Sequence, residues 1–137
     1  MNPCPFCTPE PSRHLLANTH AIAIPDGFPL TLGHTLIIPK RHIASFFEAT
    51  REEQTAMFDL LAEVQERILN PPWPPFAKGG ITSAPDGFNI GINDGAAAGQ
   101  TVMHLHIHLI PRYFGDQSDP RGGVRWIFPD KAAYWAK

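Results

Sequence analysis

The chain has 137 residues, of which 43% are hydrophobic, and a formal net charge of −2 at pH 7. This length fits one domain of ordinary size, and the hydrophobic content suffices for a core without disulfide support. So small a net charge gives no broad attraction for a nucleic acid polymer or an anionic membrane, and we expect neither as a partner.

Two short apolar segments in the first third of the chain are predicted strands. Residues 20–24 alternate weakly and stop at a Pro-Asp-Gly turn, and residues 33–39 form an apolar run between turn residues. Residues 43–47 are expected to form a short helix after the second strand.

A longer helix is predicted to follow. Thr50 and Glu53 have capping-box spacing, which indicates a helix N-terminus. Apolar residues then recur at helical spacing, namely Met57, Leu60, Leu61, Val64 and Ile68. The helix should end near Asn70 because the two prolines that follow cannot continue its hydrogen bonding, and residues 73–76 are expected to form an extended surface loop.

The second half of the chain adds strands without a parallel repeat. Residues 88–93 are a predicted strand, residues 94–100 a loop, and the alternating segment after it another strand, whereas the tail at 111–137 has no clear periodicity. Short consecutive strands with one long and one short helix predict an α+β fold, a single domain over residues 1–137 with a mainly antiparallel sheet. No basic leader and no run of about 20 apolar residues is present, so we expect a cytoplasmic protein.

Three histidines alternate with apolar residues in the last predicted strand. His104, His106 and His108 would share one face, because side chains alternate along a strand. The opposite face should pack on the core and carries Met103, Leu105, Ile107 and Leu109. A polar outer face that happens to hold histidines would show the same pattern.

The histidine face favours chemistry on a phosphate group. A neutral imidazole is a competent nucleophile, and a hydrogen bond at one ring nitrogen determines that the other is free. His106 is the candidate nucleophile because a histidine lies about 7 Å away on each side, and His108 could donate to the phosphate or the leaving group. Gln100 and Thr101 could hold phosphate oxygens together with loop N–H groups. In a competing interpretation the three histidines hold a catalytic zinc ion.

Cys4 and Cys7 have the two-residue spacing of thiolate metal ligands. Two thiolates leave two positions of a tetrahedral zinc ion for histidines, and His14 is near in sequence. A redox-active pair and two unligated thiols are the alternatives, although no thioredoxin-like βαβ pattern follows the pair.

Some apolar and turn residues have both a structural and a functional interpretation. Phe6, Ile22 and Ile24 could form an apolar slot for a purine base or could fill the core. Asp26 lies in a Pro-Asp-Gly sequence, where an ordinary turn aspartate would look the same.

The segment Gly99-Gln-Thr-Val-Met-His-Leu-His-Ile-His-Leu-Ile110 resembles the signature of the histidine triad (HIT) family. Residues 33–42 and 88–95 resemble the family's two other recurring segments in the expected order, so the resemblance covers nearly the whole chain. It implies a HIT-like fold and hydrolysis or transfer of a purine nucleotide at the α-phosphate, through a covalent nucleotidyl group on His106.

The resemblance also implies roles for residues around the triad. Gln100 and Thr101 should contact the phosphate, Asn93 should line the same site, Asp26 should bind the ribose hydroxyls, and His34 should lie beside the triad. His108 favours a hydrolase, because transferase-type relatives often have Gln there. Many members have Ser where this chain has Thr101, which leaves the leaving-group preference open. A nucleotide-binding module with little catalysis is the alternative.

For the Cys pair, the resemblance implies a structural zinc ion whose ligands are Cys4, Cys7, His42 and His104. Zinc would then tie the N-terminal segment to the sheet and orient His104 without touching substrate. Many members of the family are homodimers, so a homodimer is expected by resemblance alone.

Overall fold

The computed structural model of the chain describes residues 4–74 and 80–136. Its centre is a five-stranded antiparallel sheet with strand order β1-β2-β3-β5-β4. The strands are β1 Leu16–Ala17, β2 Ala21–Pro25, β3 Thr35–Pro39, β4 Gly87–Gly91 and β5 Ile107–Arg112, and the helices are α1 Arg51–Ile68 and α2 Pro129–Ala132. The predicted α+β class with a mainly antiparallel sheet is therefore confirmed.

Helix α1 begins where the capping box predicts. The Thr50 side chain accepts a hydrogen bond from the Glu53 N–H, and the Glu53 side chain accepts one from the Thr50 N–H. Four apolar side chains of the helix are completely buried, namely Met57, Leu60, Val64 and Ile68. Each such side chain contributes about 1.5–3 kcal/mol by leaving water, so this stripe holds the helix on the sheet.

The two faces of the sheet have different coverings. The helix face carries side chains that pack with α1 in one core cluster, among them Ala21, Ala23, Ile37, Ile107 and Leu109. The alternate residues of β2 and β3 point the other way and form a smaller cluster, which consists of Ile22, Ile24, Leu36 and Ile38. We call that side the open face. Alternation along each strand therefore separates the structural core from a second apolar surface.

Three local predictions were wrong in detail. The segment predicted as a short helix at residues 43–47 forms a single 3-10 turn, Phe46–Glu48, which Ser45 caps. Strand β4 ends at Gly91, before Asn93. Trp73 does not lie in a surface loop, because its side chain is buried in the core cluster and its backbone pairs with Ile81 at 3.0 and 2.7 Å. Burial of the large indole outweighs the preference of the prolines around it for exposed loops, and residues 75–76 lie outside the described residues.

The tail at 111–137, which has no clear periodicity in sequence, contains regular structure. Pro111 and Arg112 complete β5, and after residue 120 the chain forms a 3-10 turn at Gly123–Ile127 and then the short helix α2. Among the helices that the structure describes, none is both long enough and apolar enough to cross a membrane.

Candidate active site and metal centre

The three histidines of the triad project from the open face of the sheet. Leu105, Ile107 and Leu109 are buried on the helix face, as predicted, so the histidines between them point the opposite way. The predicted strand is shorter than expected, since β5 begins only at Ile107. Met103 is 46% exposed and does not extend the apolar face. The alternation persists through His104 and His106, although these two residues precede the hydrogen-bonded ladder.

The His106 ring has one nitrogen engaged and one free to react. Its Nδ1 lies 2.8 Å from the carbonyl oxygen of His104. A carbonyl only accepts hydrogen bonds, so Nδ1 carries the proton and Nε2 carries the lone pair. This arrangement is the one that a nucleophilic imidazole requires.

His108 is held by a short chain of hydrogen bonds from the turn between β2 and β3. The Leu30 N–H donates to Nδ1 of His34 at 3.0 Å, so the His34 proton lies on Nε2. That Nε2 is 2.9 Å from Nδ1 of His108, which therefore accepts and leaves the His108 proton on its own Nε2. The sequence predicted His34 beside the triad, and the structure brings it into direct contact with His108.

Asp26 completes this cluster. One carboxylate oxygen lies 3.3 Å from His34 Nε2 and 3.9 Å from His108 Nδ1, and the other accepts the Phe28 N–H at 2.7 Å. Burial lowers the pKa of His34 and of His108, and in both cases the negative charge of Asp26 opposes part of that shift. Both imidazoles are therefore held in the neutral form near pH 7.

The loop between β4 and β5 is braced from inside by Gln100. Its side-chain oxygen accepts the Gly95 N–H at 2.7 Å, and its amide nitrogen donates to the carbonyls of Ala44 and Val102 at 2.9 and 3.1 Å. Gly95 and Gly99 have φ near +95° and +91°, which glycine adopts without strain. The Gln100 amide is thus occupied by backbone groups, and its predicted contact with phosphate stays a prediction.

Thr101 and Asn93 are exposed near this loop. Gly91 pairs with His108 across the sheet, so Asn93 lies only two residues beyond the partner of a triad histidine. Both residues lie at the end of the sheet where β5 begins, and the roles predicted for them stay predictions.

The four predicted zinc ligands meet at one point. Cys4 Sγ lies 3.4 Å from His104 Nδ1, Cys7 Sγ lies 3.2 Å from His42 Nδ1, and the two Nδ1 atoms are 3.2 Å apart. All four ligand atoms lie within 4.8 Å of one another. Ligands of a tetrahedral zinc ion at 2.0–2.3 Å would be about 3.3–3.8 Å apart, so this donor set fits zinc. His14 instead lies against the carbonyl of Pro9 and is not part of the group.

A second contact prepares His104 for this role. Its Nε2 lies 2.8 Å from the carbonyl oxygen of Pro39, so Nε2 carries the proton and Nδ1 presents a lone pair toward the cysteines. Burial also lowers the pKa of His104, which favours the neutral form that a metal ligand needs.

The triad histidines do not converge on a common point. Nδ1 of His104 faces the cysteines, Nδ1 of His106 faces a carbonyl, and Nδ1 of His108 faces His34. In the described part of the chain, the groups of side chains close enough to share a metal ion do not contain all three. This geometry does not favour the interpretation in which the triad itself holds a catalytic zinc ion.

Two contacts of the site were missed by sequence reasoning. Asp94 accepts hydrogen bonds from the Ser45 hydroxyl and the Phe46 N–H at 3.0 and 2.9 Å, which joins the start of the loop to the turn before α1. Phe6 packs its ring against His106, with ring centroids 5.2 Å apart. Sequence reasoning considered Phe6 only for a purine slot or the core, and its position between the two cysteines was a further signal that could have indicated this contact.

Curated relatives of the chain include enzymes whose names refer to reactions of nucleotides. An uncharacterised HIT-like protein of Mycoplasma genitalium is 38% identical over 70% of this chain and 60% of its own length. The adenylylsulfatase HINT3 of Arabidopsis thaliana is 34% identical over 81% of this chain and 53% of its own length. An asymmetrical bis(5'-nucleosyl)-tetraphosphatase of Schizosaccharomyces pombe is 38% identical over 66% and 44%. The chain thus spans about half the length of these relatives.

Solved structures agree with the fold described above. A HIT family protein of Bacillus subtilis superimposes with a TM-score of 0.68 at 34% identity, over 84% of this chain and 77% of that one. A Zn-bound histidine triad family protein of Mycobacterium smegmatis superimposes with a TM-score of 0.62 at 33% identity, over 85% and 79%. The family model described as the HIT domain matches residues 8–115. From its triad, its sheet and this match, the chain belongs to the HIT family.

Proposed function

We propose that the protein hydrolyses purine nucleotide conjugates or dinucleoside polyphosphates at the α-phosphate, with His106 as the nucleophile. The observation that carries the proposal is the hydrogen bond from His106 Nδ1 to the His104 carbonyl at 2.8 Å, which leaves Nε2 as the reactive atom. The enzyme names of the Arabidopsis and Schizosaccharomyces relatives support hydrolysis of nucleotides.

The proposed reaction has two displacements at phosphorus. His106 Nε2 attacks the α-phosphorus, a P–N bond forms, and the bond from phosphorus to the leaving group breaks. The leaving group takes the electron pair of that bond and accepts a hydrogen bond from the neutral His108 Nε2–H. Water then attacks the phosphorus and gives up a proton to solvent, and the P–N bond breaks with its electron pair returning to His106 Nε2. The products are a nucleoside monophosphate and the leaving group, which takes up a proton from solvent where its pKa requires one, and both histidines are restored.

The remaining site residues have positioning roles in this proposal. The loop braced by Gln100 would present backbone N–H groups and the Thr101 hydroxyl to the phosphate oxygens as charge develops. Asn93 would line the same site and Asp26 would bind the ribose hydroxyls. The apolar side chains of the open face, with Phe6 beside them, would receive the purine.

Zinc would have a structural role. Held by Cys4, Cys7, His42 and His104, the ion would cross-link the N-terminal segment to the two histidines. It would not contact substrate. A Zn-bound family member among the similar structures supports this assignment. The active form is proposed to be a homodimer.

The decisive experiment is to trap the covalent intermediate. The protein is mixed with adenosine phosphoramidates or dinucleoside polyphosphates, quenched rapidly without acid, and analysed by intact and peptide mass spectrometry. We expect a nucleotidyl adduct on the His106 peptide, absent from His106→Ala and present in His20→Ala, an exposed histidine outside the site. Nucleotide binding without adduct or monophosphate would identify a binding module instead, and transfer of the nucleotidyl group to an acceptor other than water would identify a transferase.

A further inference from the structure

The two cysteines bracket a tight turn, residues 4–7, which we call the knuckle. The Cys7 N–H bonds back to the Cys4 carbonyl at 3.3 Å, and both sulfur atoms face the ring of His104 at 3.4 and 3.6 Å. Both thiols of the turn therefore point toward the proposed metal centre, and Phe6 lies between the two cysteines in sequence.

Phe6 lies where the metal centre, the nucleophile and the open face meet. Its ring is edge-to-face with His104, at 6.0 Å between centroids, and with His106, at 5.2 Å and an interplanar angle of 72°. The same ring packs against the apolar cluster of the open face. One side chain thus contacts a proposed metal ligand, the proposed nucleophile and the proposed purine surface.

Few other contacts hold the knuckle in place. In the described part of the chain, no backbone group of residues 4–8 forms a hydrogen bond outside the knuckle. Its attachment to the sheet comes from the cysteine–histidine contacts and from the packing of Phe6 itself. A metal ion bound by all four donors would therefore fix the place of the Phe6 ring.

We infer that Phe6 is a positioning residue for His106, and that metal binding at the knuckle is what places it. The inference rests on the proposed function in taking His106 as the nucleophile. The hydrogen bond at Nδ1 fixes one edge of the imidazole but permits rocking about the hydrogen-bond axis. Phe6 packs edge-to-face against the ring, with centroids 5.2 Å apart, and together with the His108 ring at 5.1 Å it restricts this rocking and so the direction of Nε2. Loss of the metal frees the knuckle, and the His106 ring and the open face become accessible to water together.

The test reads the His106 ring by NMR without any nucleotide. Protein labelled with ¹⁵N-histidine is compared with zinc and after chelation, for the wild type, for Phe6→Leu, and for Phe28→Leu as a matched control at an exposed ring. We expect Phe6→Leu to shift the ring-proton signals of His106 and Phe28→Leu to leave them in place. Chelation should shift the wild-type signals in the same direction and should have little further effect in Phe6→Leu.

Three outcomes would overturn the inference. The first is a wild type that binds no zinc. The second is a Phe6→Leu variant whose His106 signals are unchanged. The third is a chelation shift of equal size in the wild type and in Phe6→Leu. The last result would mean that the metal acts through the His104 backbone. If Phe6→Leu does not fold, Phe6→Tyr retains the ring and takes its place: its His106 signals should respond to chelation as in the wild type.

Turnover provides a second, separable readout. If the enzyme is active, Phe6→Leu at full zinc content should lose about 10-fold in kcat, within the range that small misplacements of reacting groups cost. Absence of turnover in the wild type would remove the proposed function but leave the NMR comparison intact. A rise in KM with kcat unchanged would mean that Phe6 only helps to bind the base, and it would contradict the positioning role.

Discussion

At the scale of single residues, the site depends on which nitrogen of each histidine carries its proton. Backbone carbonyls assign the Nδ1 proton of His106 and the Nε2 proton of His104, and a backbone N–H assigns the Nε2 proton of His34. Imidazoles alone would exchange between two tautomers. Because backbone groups cannot change their donor or acceptor character, the tautomers of the three rings are fixed by the fold.

Asp26 is predicted to tune the two histidines that it faces. Burial lowers the pKa of His34 and of His108, and the carboxylate raises each of them in part. In Asp26→Asn, NMR titration of the ring protons should therefore give midpoints for both histidines that are lower than in the wild type. Asp59→Asn, on the exposed side of α1, is the matched control and should change neither midpoint. Unchanged midpoints in Asp26→Asn would show that the carboxylate has no direct electrostatic effect on this pair.

At the scale of elements, the N-terminus of α1 anchors the segment that carries His42. Arg41 donates to both carboxylate oxygens of the buried Glu53, at 3.1 and 2.8 Å, and Glu53 also closes the capping box with Thr50. These contacts, led by the Arg41 hydrogen bond, lower the pKa of Glu53 from 4.5 to about 2. One carboxylate thus joins the helix start to the segment that carries His42, a proposed zinc ligand.

Glu53→Gln is expected to destabilise the protein at pH 7 by about 1–3 kcal/mol, because a charged, bidentate contact becomes a neutral one. The pKa of Glu53 is lower in the folded state, so its contribution is complete above pH 4.5 and is lost as pH falls toward 2. Urea unfolding at several pH values measures this. Glu52→Gln, exposed in the same helical turn, is the control. An equal destabilisation at low pH would assign the effect to packing instead of charge.

The loop before β5 is expected to lose its shape without Gln100. Gln100→Leu removes the three hydrogen bonds to backbone groups, and each unsatisfied buried group costs about 1–3 kcal/mol. Amide hydrogen exchange of Gly95 should become faster, and kcat should fall with it. Gln117→Leu, at an exposed position, should change neither. Unchanged exchange with reduced turnover would favour a direct contact between Gln100 and phosphate.

At the scale of the whole molecule, the four side chains of the proposed zinc site come from parts of the chain that are far apart in sequence. Cys4 and His104 are separated by 100 residues, and Cys7 and His42 by 35. A ligand that binds only the folded state stabilises it according to its affinity. The knuckle lies at one end of the chain, yet its metal would act on the strand that carries the triad.

Removal of zinc is expected to lower the midpoint of thermal unfolding of the wild type by several degrees, since about 1 kcal/mol corresponds to roughly 2–8 °C for domains of this size. Elemental analysis should give one zinc ion per chain. The double variant Cys4→Ser, Cys7→Ser should bind none and show no response to a chelator. If this double variant, without zinc, unfolded at a temperature as high as or higher than the wild type, the two thiols would be unligated in the native protein.

Assembly is predicted to use the outer edge of β4. In the described chain β4 is a terminal strand of the sheet, and Ile90 on it is 50% exposed. An apolar edge strand is a site for pairing with a second copy. Sedimentation velocity should show a dimer for the wild type and a monomer for Ile90→Lys, whereas Phe58→Lys on the exposed side of α1 tests whether the helix also contributes. A wild-type monomer at micromolar concentration would contradict the proposed homodimer.

The sequence by itself determined the features that short-range patterns specify. Alternation placed the triad opposite a buried face, the Thr50–Glu53 spacing located the start of α1, and the Cys4–Cys7 spacing indicated a metal turn. The family resemblance supplied His42 and His104 as the two remaining proposed ligands. These patterns depend on backbone periodicity and side-chain type, which are local properties of the chain.

Only the tertiary structure decided which groups meet across the sheet. The tautomer of each histidine, the occupation of the Gln100 amide, the contact of Phe6 with His106 and the burial of Trp73 all depend on partners distant in sequence or on backbone geometry. Such contacts gain free energy only once topology has brought the segments together, and many pairings are compatible with the same local pattern. For that reason the sequence indicated the participants in the candidate site, whereas the fold determined their geometry.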